Sequence, residues 1–120
     1  MKITNKTDEN IYHILPEVDW TAAKAAGEYR PESLATGGFI HFSLRRQVER
    51  VANAFYRDQN DLLLLEIDQD QLDAEVRFED LLDEGMLFPH LYGPLNLDAV
   101  VGVQPMQRNK SGDYVLPALD

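Results

Sequence analysis

Three histidines, His13, His41 and His90, are the only imidazoles in a chain of 120 residues that has no cysteine. A disulfide framework, a thiolate zinc site and a cysteine nucleophile are excluded together. His13 and His41 sit between apolar neighbours, in Tyr12-His13-Ile14 and Ile40-His41-Phe42. In extended chain each imidazole points away from both neighbours. His90 lies in Phe88-Pro89-His90-Leu91-Tyr92-Gly93-Pro94, where two prolines fix the backbone and Gly93 permits a sharp turn. That segment reads as a rigid loop presenting His90 and Tyr92. One histidine inside a sheet is more often a hydrogen-bonded structural residue than a catalyst. Two on early strands with a third between prolines point to a shared site. His13 and His41 are expected on adjacent strands facing one cleft, about 5 Å apart at Cβ, with His90 or Tyr92 at its rim.

A second cluster lies at the start of the clearest helix. Ser43 reads as its N-cap, and Arg45 and Arg46 follow in the first turn. Cations there oppose the helix dipole, and a bound phosphate would relieve the conflict. Trp20, Phe42 and Tyr92 are the aromatics available to stack on a base. Asp68, Asp70 and Glu79 mimic three positions of a calcium loop, but Leu72 and Asp73 stand where an oxygen ligand and a glycine belong, so that reading fails. No paired-ligand spacing is present, and no bound transition metal is expected. Three imidazoles still leave a zinc or iron site as an alternative.

These groups must be positioned by elements whose patterns are legible. Ile11 to Leu15 reads as a strand stopped by Pro16, followed by a helix from Trp20 to Ala26 with Asp19 as cap and Gly27 as stop. Tyr29 to Gly38 reads as a loop with at most one helical turn, and Phe39 to Ser43 as the second strand. The helix Leu44 to Arg57 carries Val48, Val51, Ala52 and Phe55 at i, i+3, i+4 and i+7. Leu62 to Ile67 is apolar at nearly every position, as in a central strand covered on both faces. Glu75 to Glu79 alternates, Leu81 to Asn96 is irregular, and Ala99 to Val103 and Tyr114 to Leu116 close the sheet. Five or six strands with two or three helices, not in βαβ alternation, make an α+β fold with a mixed or antiparallel sheet.

The length suits one domain over residues 1–120. The formal net charge is −10, from 21 acidic and 11 basic residues, which argues against general nucleic-acid binding. The polar opening Lys2 to Asn10 shows no signal peptide, and the longest apolar run, Leu62 to Leu65, is far short of the ~20 residues of a membrane helix. A cytoplasmic protein, taken as a monomer with a small-molecule nucleotide or metabolite as partner, is the simplest expectation.

Several motifs together carry a resemblance: IYHI at Ile11 to Ile14, Trp20 with Gly27, GFIHFS at Gly38 to Ser43, LLLLEID at Leu62 to Asp68, VRFED at Val76 to Asp80 and FPHLYGPL at Phe88 to Leu95. Spanning nearly the whole chain in order, they resemble the small, mainly bacterial proteins of domain-of-unknown-function family 952. That family is in turn distantly similar to the ADP-ribosyltransferase superfamily, particularly its RNA 2′-phosphotransferases. The resemblance implies NAD-dependent ADP-ribosyl or related transferase chemistry. His13 would match a histidine holding the adenosine-side ribose, and His41 one near the nicotinamide. Glu79 is the nominated carboxylate, with His90 or Tyr92 as alternatives, and Trp20, Ser43, Arg45 and Tyr92 would contact the nucleotide. Two departures stand out. Ile14 and Leu15 replace the glycine and threonine that follow the first histidine, and no arginine cluster suited to RNA is present. The residues themselves leave open a non-enzymatic nucleotide- or metabolite-binding module and a three-histidine metal site.

Overall fold

The structure, a computed structural model, describes residues 9–81 and 83–117; most of the polar opening from Lys2 lies outside them. Strand β1 (Ile11–Pro16) leads directly into α1 (Glu17–Ala26). Pro16, in extended conformation, occupies the N-cap position and makes no side-chain cap bond. Asp19, expected as the cap, is therefore inside the first turn, where it and Glu17 complement the helix dipole. Gly27 ends the helix as expected, at φ 88°, with its N–H donating to the Ala23 carbonyl. Short β2 (Glu28–Tyr29) and α2 (Glu32–Gly37) follow.

The expected strand Phe39 to Ser43 is two strands in two sheets: β3 (Ile40–His41) and β4 (Ser43–Leu44). The reason lies in Pro89. Phe42 N–H donates to the Pro89 carbonyl at 2.9 Å, and proline has no N–H to return. Pairing ends there, and the chain crosses to the other sheet.

A 3₁₀ turn, Arg45–Gln47, precedes α3 (Val48–Phe55). Strand β5 (Leu62–Ile67) is followed by a 3₁₀ turn, β6 (Val76–Glu79), β7 (Phe88–Leu91), β8 (Leu95–Asn96), β9 (Val100–Pro105), β10 (Gln107–Arg108) and β11 (Tyr114–Val115). The irregular stretch expected over Leu81 to Asn96 thus contains two strands.

The larger sheet has the order β4-β1-β5-β9, and the second has the order β3-β7-β6; all pairs are antiparallel. Alternation splits the larger sheet cleanly. Ile11, Leu15, Leu63, Leu65 and Ile67 face a core shared with Ile40, Leu91 and Leu95. Tyr12, Ile14, Leu62 and Leu64 face α3 through Val48, Val51 and Ala52. Both faces of β5 are covered, as its apolar run requires. The result is a small α+β domain with antiparallel sheets and three α-helices among the described residues. None of these helices is long and apolar enough to cross a membrane.

Candidate functional site

The second sheet turns one face to the core and the other to a cavity. In β3 and β7, Ile40 pairs with Leu91, and both side chains are fully buried in the core. The next pair, His41 opposite His90, must point the other way. Across β6 and β7, Arg77 lies opposite His90 and Glu79 opposite Phe88, so these four share that outer face. His41, His90, Phe88 and Glu79 line a cavity of about 550 Å³, with Phe39 beside them and Arg50, Val51, Phe55 and Tyr56 on the far wall. The volume falls within the range typical of small-molecule sites.

The polar groups in this wall form a connected chain. His90 Nδ1 donates to Glu79 Oε1 at 2.9 Å, and the Tyr92 hydroxyl donates to the same oxygen at 2.6 Å. The hydrogen bond from Tyr92, aided by His90, holds the Glu79 carboxyl below its usual range, despite partial burial. An ionised carboxylate only accepts, so Nδ1 carries a proton and Nε2 is the ring nitrogen left free of this bond. His90 is 4% exposed and stacks on Phe39 at 4.2 Å between ring centroids. Arg77 covers the other end of the chain, 4.3 Å over the Tyr92 ring.

His41 adds a second imidazole, its ring 5.3 Å from that of His90. Its Nε2 is enclosed and has no hydrogen-bond partner among the described residues. Burial, reinforced by the neighbouring His90 and His13, pushes its pKa down to about 4, so it is neutral at pH 7.

His13 lies behind this site, not in it. It sits on β1, whose neighbours are β4 and β5, while His41 is on β3 in the other sheet. A carbonyl only accepts, so His13 Nδ1 donates to the His41 backbone oxygen at 2.7 Å. That leaves Nε2 to accept from the Tyr29 hydroxyl at 3.0 Å. Burial lowers its pKa to about 4. Both nitrogens are spent, Nδ1 on joining the two sheets and Nε2 on Tyr29 of β2. The expectation of His13 and His41 on adjacent strands facing one cleft is therefore corrected, and a three-imidazole metal site is not assembled. Among the described residues no group of three or more histidines and carboxylates is placed to hold a metal ion.

Other expected residues also fall elsewhere. Trp20 packs against the core from α1, with the Lys24 ammonium 5.8 Å above it, and Phe42 is fully buried. Ser43 is not a cap: it is buried in β4 opposite Tyr12. The Gln47 side chain instead accepts from Leu44 N–H. Arg45 is exposed and outside the cavity. The structure brings together His41, Glu79, His90 and, through Glu79, Tyr92. Sequence reasoning missed Phe39, Phe55, Tyr56 and Phe88. Phe55, counted as core, is 64% exposed at the cavity edge. The alternation of Phe88, His90 and Tyr92 against Pro89 and Leu91 was the signal for this wall, masked by reading the prolines as loop punctuation.

Residues 14–103 match the family described as "Protein of unknown function (DUF952)". The chain belongs to the DUF952 family. The fold is shared by solved structures of protein CC0527 from Caulobacter crescentus. The X-ray structure is 32% identical, has a TM-score of 0.79, and covers 88% of this chain and 93% of that one. The solution NMR structure is 31% identical with a TM-score of 0.68, covering 87% and 90%. No curated protein matches the chain.

Proposed function

We propose that the cavity is a reaction site for a small nucleotide-like N-glycoside, with NAD the first candidate, acted on by the Glu79–His90 pair. The observation that carries this reading is a carboxylate held ionised by Tyr92 and His90 in the wall of a partly apolar cavity. The aromatic rings of Phe39 and Phe88 suit a planar base. With the ribose over Glu79, breaking the base–sugar bond sends the electron pair out with neutral nicotinamide and leaves positive charge developing on the sugar. The Glu79 carboxylate offsets that charge. Water or another acceptor then bonds to the sugar carbon, and His90 Nε2 takes the proton it loses. His13 acts at one remove, fixing the backbone that carries His41.

A non-enzymatic metabolite-binding module is the second reading. It is favoured by Glu79 Oε1 already accepting two hydrogen bonds. Chromatographic detection of nicotinamide released from NAD separates the two. The first reading expects release, reduced roughly 10²–10³-fold by Glu79→Gln, as for loss of one preorganised electrostatic group. Saturable binding without release selects the second, and neither binding nor release rejects both.

A further inference from the structure

Beside the histidine cavity lies a second groove of about 410 Å³, lined by Leu44, Arg46, Gln47, Arg50, Phe78 and the 85–87 segment. Arg50 lines both spaces, so they adjoin. Their charges are opposed. Among the described residues the histidine cavity carries Glu79, Asp80 and Glu84 against Arg50 alone, whereas the only charged side chains lining the groove are Arg46 and Arg50. In a chain of net charge −10, a groove lined by two arginines is a departure from the average field.

These arginines are only loosely engaged. Arg46 meets Glu9 at 3.4 Å and Arg50 meets Glu84 at 3.9 Å, with all four side chains between 41% and 68% exposed. Such surface pairs contribute little and give way to a better anion. Two guanidiniums lining one groove, one from the 3₁₀ turn and one from α3, match phosphate oxygens. Gln47 is spent on the wall, accepting from Leu44 N–H and donating to the Leu87 carbonyl, both at 2.8 Å. The floor is therefore fixed while the cations stay available.

We propose that the groove is a phosphate subsite, and that the ligand is a phosphorylated N-glycoside, with its positively charged or aromatic base in the acid-rimmed cavity and its phosphate between Arg46 and Arg50. The assignment of the base to the histidine cavity rests on the reading given under the proposed function; the anion groove stands on its own lining.

The test is an NMR titration of the full chain, following Arg46 and Arg50 Nε–H and the His90 ring. Three probes are used: pyrophosphate, nicotinamide riboside and its 5′-monophosphate. The monophosphate is expected to bind at least tenfold more tightly than the riboside, and Arg46→Glu to bring the two to equal affinity. Pyrophosphate alone should shift the two arginines and be displaced by the monophosphate. If pyrophosphate and monophosphate leave both arginines unmoved, the subsite is overturned. Arginine shifts with pyrophosphate but no His90 shift with any probe keep the anion groove and reject the reaction site. Equal affinity for riboside and monophosphate in the unaltered protein rejects the link between the two spaces.

Discussion

Each imidazole has a different job, set by what its nitrogens meet. His13 is a joint between sheets, His90 is oriented by a carboxylate, and His41 keeps an enclosed nitrogen without a partner among the described residues. His13 makes stability depend on pH in a definite direction. Its folded pKa of about 4 lies below the ordinary 6.5, so between those values the unfolded chain binds a proton that the native state refuses. Stability is therefore full above about pH 7 and falls as pH drops toward 4. The loss between pH 7 and 5 is about 2 kcal/mol for His13, and His41 acts in the same direction. Urea unfolding at the two pH values checks this, and equal midpoints would contradict it. His90→Ala offers a second check. A histidine on an exposed loop would cost no more than about 1 kcal/mol, but His90 is buried in a strand and bonded to Glu79. Its loss is expected to cost roughly 2–3 kcal/mol, from the vacated space and a carboxylate left with one fewer donor.

Among the elements, those with strong periodicity were legible and those broken by proline were not. β1, β5, the stop of α1 at Gly27 and the buried stripe of α3 follow from apolar spacing and turn residues. The splitting of Phe39 to Ser43 was hidden because its cause, the missing N–H of Pro89, lies 47 positions later than Phe42 in the sequence. Distant pairing of this kind leaves no local trace. Gly93 shows the same limit. A Cβ there would sit 2.6 Å from the Ala74 Cβ, so a close approach of two segments, not a turn, requires glycine. Gly93→Ala is expected to destabilise by about 1–3 kcal/mol through this clash, and pairing it with Ala74→Gly should recover most of the loss in thermal unfolding. Leu64→Ala, in a strand buried on both faces, should cost ~2–5 kcal/mol through its cavity. A loss below about 1 kcal/mol would mean that β5 is not central to the core.

At the scale of the molecule, the site exists because a sheet is sandwiched incompletely. One face of β3-β7-β6 completes the core, while the other is only partly covered by α3, leaving space above His41 and His90. Composition gave the overall charge, and the histidines and Glu79 were visible as chemistry. Which of them converge depended on register, since a shift of one residue in β7 would turn His90 inward and Leu91 outward. The most direct test of the account is a titration of histidine-labelled protein with NAD at pH 7, followed through the three imidazole signals. Saturable shifts are expected at His90 and His41, almost none at His13, with loss of the response in Glu79→Gln. Unmoved His90 and His41 signals at millimolar NAD, or shifts confined to His13, would contradict it.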